Sequence, residues 1–186
     1  VGQSTENLQS TKYEEKRSIE ISKKNSFFVV GYLFKVRGGV KLCDDNVFIK
    51  EYWNKESIKP EEQLFKKLIS QENIKRWRGS FENDLHILYP YYSKEGKRIV
   101  YDLKDFPKAK DYFEANRPQL ESRTYVMESG RSWYEIWVPQ NPALWALPKL
   151  VFPAISLETR FLYDDAGSAV NGNCYWIAAM DDIEYE

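Results

Sequence analysis

Apolar residues in this chain fall in short runs, few of them with a long helical period. Residues 27–36 (Phe-Phe-Val-Val-Gly-Tyr-Leu-Phe-Lys-Val) are rich in aromatic and β-branched side chains and predict a buried strand, after which Gly38-Gly39 turns the chain. Val47-Phe48-Ile49 predicts a second short strand. Pro60-Glu61-Glu62 then opens a predicted helix, with Leu64, Phe65, Leu68 and Ile69 at the three-to-four spacing of one buried face and proline suited to the first turn. Leu85-His86-Ile87-Leu88-Tyr89 predicts a third strand, stopped by Pro90, and Arg98-Ile99-Val100-Tyr101 is expected to pair with it across a turn at residues 93–96. Pro107 begins a helix that runs to Asn116, with Tyr112 and Phe113 as its apolar contacts, and Pro118 restarts a short helical segment ending near Arg123. From Trp133 onward the pattern predicts strands at 133–138, 147–155, 159–163 and 175–180. Many short strands, few helices and no glycine-rich strand-to-helix crossover define an α+β class, a β-rich domain with a few short helices. The organisation expected is a polar, basic N-terminal segment over 1–26, frayed through Thr11, and one domain over 27–186. Valine at position 1 is read as a start at a domain boundary.

The 186 residues are enough for one domain with a sizeable core, at 42% hydrophobic and 30% charged residues. No apolar run approaches the roughly 18 to 20 residues of a spanning helix, and residues 1–10 lack the apolar stretch of a secretory leader, so a cytoplasmic location is expected. Two cysteines, Cys43 and Cys174, make no disulfide framework, which also fits a reducing compartment; buried structural thiols are expected. Aromatic content is high at 16%. Such rings serve either a binding surface or a core. The net charge of −1 hides a gradient. Residues 1–100 carry 19 Lys and Arg against 14 Asp and Glu, and residues 101–186 carry 8 against 14. The basic N-terminal part suits phosphate backbones or acidic surfaces, or is a solvated face.

Catalytic chemistry is hard to build from these residues. The single histidine, His86, sits inside an apolar strand and reads as structural; with no cysteine cluster beside it, neither an ordinary zinc site nor a nucleophile-histidine pair is available. No phosphate-cradling glycine loop and no Gly-x-Ser-x-Gly turn occurs. The acid pairs Asp44-Asp45, Asp164-Asp165 and Asp181-Asp182 suit a divalent ion for nuclease chemistry, or, as turn residues, simply face solvent. The Asn-Pro-Pro-Tyr signature of methyl transfer to a flipped base is missing as well, so no catalytic residue and no metal ligand is assigned.

A series of segments in a fixed order then resembles a known family. These are Gly39-Val40-Lys41-Leu42-Cys43-Asp44-Asp45-Asn46-Val47-Phe48-Ile49, Ile74-Lys75-Arg76-Trp77, Leu88-Tyr89-Pro90-Tyr91, Asp105-Phe106-Pro107-Lys108 with Tyr112-Phe113, Leu120-Glu121-Ser122-Arg123, Trp133-Tyr134-Glu135-Ile136, Pro148-Lys149-Leu150-Val151-Phe152-Pro153 and Arg160-Phe161-Leu162-Tyr163-Asp164-Asp165-Ala166-Gly167. Together, over roughly residues 27–177, they resemble the TaqI-like specificity domain, the target recognition domain of adenine-specific DNA methyltransferases and of type IIG restriction-modification enzymes. One departure is that Leu42-Cys43-Asp44 stands where the family has a Thr-Gly turn, which puts that turn's role on DNA in doubt. The resemblance implies a lobe that clamps double-stranded DNA and reads flanking bases, while a catalytic methyltransferase domain of the same parent chain, with S-adenosylmethionine, acts on a flipped adenine. It implies no cofactor and no membrane for this segment itself.

Side chains beside those motifs are the candidate DNA contacts: Lys41, Asn46, Arg76, Arg78, Arg123, Arg131, Lys149 and Arg160. Arginine suits bidentate contact with guanine or phosphate, and an amide suits adenine. The structural alternatives stay open. Arg76 and Arg78 can pair with Glu72 or Glu82, Arg123 with Glu121 or a helix end, and Asn46 can simply form a turn. Trp77, Tyr89, Tyr91, Trp133, Tyr134 and Trp137 are candidates for a stacking platform or for the core, with Trp133 and Trp137 on one face of the predicted strand. A different class, a free-standing aromatic platform for single-stranded nucleic acid or carbohydrate, is the competing reading. A metal-dependent nuclease acting through the paired acids is a third.

Overall fold

The computed structural model describes residues 34–76, 78–82 and 85–179. The chain groups into two compact units, of which Val36–Ala178 is the larger; Phe34, Lys35 and Ala179 are the described residues of the smaller. The expected 1–26 segment, residues 27–33 of the first predicted strand, Trp77, and the acids after Met180 lie outside the described residues.

Among the described residues, two four-stranded sheets and two hairpins make the β part, in line with the β-rich α+β expectation. One sheet has the order β1-β12-β9-β10, with β1 at Phe34–Gly38, β9 at Lys149–Pro153, β10 at Leu162–Asp164 and β12 at Cys174–Ala179. In β9, β10 and β12 alternate residues face the core: Lys149, Val151, Pro153, Leu162, Asp164, Cys174, Trp176 and Ala178 are buried, while Leu150, Tyr163 and Tyr175 are exposed. The second sheet runs β11-β3-β6-β2, with β2 at Ile49–Lys50, β3 at Phe65–Ile69, β6 at His86–Leu88 and β11 at Ala169–Val170. Strand β3 is antiparallel to β6, with Phe65 opposite Leu88, and parallel to β11, with Leu68 opposite Ala169. The hairpins are β4 (Ile74–Lys75) with β5 (Arg78–Gly79), and β7 (Tyr91–Lys94) with β8 (Lys97–Val100). Glu95 and Gly96 join β7 to β8 with φ of 51° and 73°, the doubly left-handed turn that matches strand twist.

Among the described residues there are also five short α-helices: α1 (Asp45–Phe48), α2 (Pro107–Ala115), α3 (Arg117–Glu121), α4 (Thr124–Glu128) and α5 (Pro142–Trp145). Helix α2 has proline in its first turn, and the Glu61 carboxylate accepts from the backbone N–H groups of Lys108 and Ala109, both at 2.9 Å. That helix buries Ala109, Tyr112 and Phe113, and the Tyr112 hydroxyl donates to the Val47 carbonyl at 2.8 Å.

Several local expectations are corrected. The helix expected after Pro60 is a single 3-10 turn, Glu62–Leu64, followed by strand β3. Leu64, Leu68 and Ile69 are all buried, so the spacing that suggested a helix face arises because β3 lies between two strands and is covered on both sides at its end. Val47-Phe48 closes helix α1, and only Ile49 of that trio is in a strand. Strand β8 pairs with β7 rather than with β6. Gly38 ends β1 instead of turning the chain, and Gly39 is needed for a close approach: a Cβ there would lie 2.0 Å from the Asn171 carbonyl oxygen. Residues 133–138 form turns rather than a strand, with one β-bridge, Lys41 to Val138, among the described residues. Side chains hold this segment's backbone: Arg123 donates to the Trp133 carbonyl at 2.7 Å, Arg131 to those of Ile136 and Trp137, and the Tyr91 hydroxyl accepts from the Ile136 N–H at 2.8 Å. Asp164 is buried in an ion pair, not solvent-facing, and Cys43 is exposed.

Candidate nucleic-acid interface

The β4–β5 hairpin places Lys75, Arg76 and Arg78 together and exposed. Its base is fastened by Asn73, which is buried: the Asn73 side chain accepts from the Ser70 N–H at 2.9 Å and donates to the Ser80 carbonyl at 3.0 Å, and the Ser80 N–H donates to the Asn73 carbonyl at 2.8 Å. Ile74 is wholly buried, so the stem is rooted in the core while the cationic end projects. Gly79 lets Phe81 and Leu162 pack against the backbone, since a Cβ would lie 2.7 Å and 2.9 Å from them. Lys67 sits 4.2 Å from the centre of the Phe81 ring, which brings another cation to this side. Among the described residues neither Arg76 nor Arg78 has an ion-pair partner.

Two shallow grooves adjoin this hairpin and share Lys75. One is lined by Arg76, Arg78, Ser80 and Glu82. The other lies between Gln71, Glu72 and Lys75 on one wall and the loop Ile155, Ser156, Leu157, Glu158 with Arg160 on the other. Arg160 crosses between the walls, donating to the Ser156 hydroxyl at 3.0 Å and to the Ile74 carbonyl at 3.3 Å. Although burial pushes the Glu72 carboxyl up, the Ser70 hydroxyl, its own N–H, the Gln71 amide and the Lys75 charge outweigh it and hold the pKa below the usual carboxylate range.

The other candidates are spread more widely. Lys41 and Asn46 are exposed but line neither groove, Lys41 in its backbone bridge to Val138 and Asn46 in α1. Arg131 is half-buried, with its donors on carbonyls and its guanidinium 5.6 Å from the Trp137 ring. Arg123 is only 4% exposed and donates to the carbonyls of Leu120, Leu42 and Trp133, so burial lowers its pKa. It ties the end of α3 to residues 42 and 133, whereas Glu121 pairs with Arg117. Lys149 is 1% exposed, 2.5 Å from Asp164 and 2.7 Å from the Trp145 carbonyl. Asp164 also accepts from the Ser168 N–H and hydroxyl, so both members of the buried pair have further polar partners. Both Arg123 and Lys149 are buried, with their donors on carbonyls or on Asp164.

Tyr89 and Tyr91 are core residues whose rings lie 5.1 Å apart, with Tyr89 also against Trp145 at 4.6 Å; burial raises the pKa of both hydroxyls. Trp133, Tyr134 and Trp137 are half-buried. Trp133 lies under Arg117, Tyr134 packs on Phe113 and donates to the Tyr101 carbonyl, and Trp137 meets Tyr125 edge-on. Sequence reasoning missed Lys75, Gln71, Ile155 and Leu157. Ile155 was hidden by the strand expected over 147–155; the visible signal was Leu157, an aliphatic residue between Ser156 and Glu158 in the stretch expected to link two strands. Among the described residues no cluster suits a metal ion and no helix is long and apolar enough to cross a membrane.

The chain is similar to one part of Type II methyltransferases. It is 40% identical over 161 residues to Type II methyltransferase M.BanIII of Aneurinibacillus aneurinilyticus, a match of 85% of this chain and 28% of the relative. Over 151 residues it is 26% identical to Type II methyltransferase M.PaeR7I of Pseudomonas aeruginosa, and over 143 residues 24% identical to Type II methyltransferase M.BstVI of Geobacillus stearothermophilus, covering 79% and 77% of the chain. In both of those the match spans 24% of the relative, so the chain corresponds to about a quarter of the curated proteins it resembles. No protein-family model matches the sequence.

Proposed function

We propose that this chain is the target-recognition domain of an adenine-specific DNA methyltransferase or of a type IIG restriction-modification enzyme. In this reading it grips duplex DNA and reads bases while a catalytic domain of the same parent chain, using S-adenosylmethionine in the cytoplasm, methylates an extruded adenine. The observation that carries the reading is the alignment: 85% of the chain matches only 28% of M.BanIII. A second part of such an enzyme must hold the duplex against the few kcal/mol or so of unstacking that base extrusion costs. The exposed cations Lys41, Arg76 and Arg78, the half-buried Arg160 and the amide of Asn46 are the contact residues proposed, with Lys75 added. Arg131 keeps a secondary place, and Arg123 and Lys149 act by holding the fold.

Binding of the full chain to duplex DNA, beside an Arg76→Ala/Arg78→Ala variant, tests this. Loss of two phosphate contacts should lower the magnitude of the logarithmic salt slope by roughly 1.8, at about 0.9 per contact. Stability should stay within about 0.5 kcal/mol of wild type, because both side chains are exposed. Unchanged binding by the variant would remove the hairpin from the interface.

A further inference from the structure

Loop 154–158, between β9 and β10, presents two branched aliphatic side chains to water: Ile155 is 86% exposed and Leu157 fully so. Most exposed apolar residues on this molecule keep over a third of their surface covered; these two do not. The loop is held in shape by polar contacts that leave the aliphatic tips outward. The Ser156 hydroxyl donates to the Glu158 carbonyl at 2.7 Å, the Ala154 N–H donates to the Asn173 carbonyl at 2.9 Å, and Arg160 ties Ser156 to β4. Two exposed aliphatics cost little when scattered, but here, in a groove whose walls also carry the carboxylates of Glu72 and Glu158, they lie with Lys75, Arg160 and Gln71.

Each of those side chains has a counterpart on one edge of a duplex. The 5-methyl of thymine is the one apolar group that a base pair presents in the major groove, and branched aliphatics contact it. Adenine's N6 and N7, on the other half of the same pair, are what a glutamine amide reads. The exposed Lys75, Arg76 and Arg78 supply positive charge for flanking phosphates, and Arg160 adds its charge while bonded to Ser156 and Ile74. From this juxtaposition we infer that Leu157 and Ile155 are specificity-determining residues that pack against thymine methyl groups, with Gln71 on the paired adenine. This groove therefore selects an A·T pair in the major groove. The inference rests on the duplex-binding role proposed above and adds the base pair that this groove prefers.

The test uses the full chain and two synthetic 24-bp duplexes, one of alternating dA and dT and one in which deoxyuridine replaces every dT, so that only methyl groups differ. Burying one methyl corresponds to about a fourfold gain in affinity and two to roughly fifteenfold. The dT duplex should therefore bind at least fourfold tighter, and a Leu157→Ala variant, changed at a fully exposed position, should bring that ratio close to one. Ile155→Ala should lower the ratio in the same direction. Equal binding of both duplexes by wild type, or an unchanged ratio in Leu157→Ala, overturns the methyl contact while leaving duplex binding standing, and directs the aliphatic loop to a protein surface instead. Failure to bind either duplex at low salt overturns the proposed function, and the inference with it.

Discussion

Lys149 and Asp164 show how far a charged side chain's neighbours decide its role. The ammonium has no exposed surface and its partners are a carboxylate and a carbonyl, so Lys149→Ala leaves Asp164 buried with no counter-charge. The expected loss is about 3–5 kcal/mol of folding stability, read from urea unfolding midpoints; a loss below about 1 kcal/mol would mean that water reaches the pair. Part of this was legible in the sequence. In Lys149-Leu150-Val151 the two-residue period puts Lys149 on the same side as Val151, but Asp164 lies fifteen residues further on and no local pattern announces it. Burial also pushes the Cys174 thiol up to about 12 from 9.0 and raises the hydroxyls of Tyr89, Tyr91 and Tyr112. Each group is kept protonated in the fold and ionises more readily once unfolded. Their contribution is thus complete below pH 9 and is lost as the pH climbs from there through the raised folded values. The melting temperature should hold between pH 7 and 9 and fall steadily above it. A flat profile to pH 11 would contradict the burial of these four groups.

At the scale of elements, the chain followed its own signals where a segment could satisfy itself locally. Helix α2 starts at Pro107 as the sequence predicts and ends at Ala115, one residue short of the expected Asn116, because proline and the apolar spacing lie inside the segment. Strand β3 did not, since its partners are β6 and β11, and the latter lies a hundred residues on. Residues 133–138 carry strand-like residues yet stay irregular because Arg123, Arg131 and Tyr91 satisfy their backbone groups. The hairpin β4–β5 was missed for a related reason: its two-residue strands are too short for any periodicity, and their geometry comes from Asn73. Asn73→Ala removes the Ser70 cap and the bond to Ser80, which should cost about 1–2 kcal/mol. It should also weaken duplex binding without touching a contact residue. Retention of full affinity alongside that destabilisation would show that the cations reach DNA without a fixed hairpin.

The molecule as a whole pairs a net charge of −1 with a local concentration of cations on one hairpin and its neighbouring loop. Averages over the chain conceal that concentration, and it was the ordered segments that pointed to a nucleic-acid binder. The platform aromatics settle the other way: Tyr89 and Tyr91 fill the core, so the aromatic richness builds the scaffold more than a stacking surface. On the proposed function, an interface with few phosphate contacts on a slightly acidic domain should bind duplex weakly by itself. The most direct measurement is the salt dependence of duplex binding by the full chain. The account predicts a dissociation constant on the order of 10⁻⁴ to 10⁻⁶ M at physiological salt, with a logarithmic slope of roughly −3 to −5 from about four or five phosphate contacts. Binding that ignores salt, or none even at low salt, would contradict the assignment of this domain to DNA.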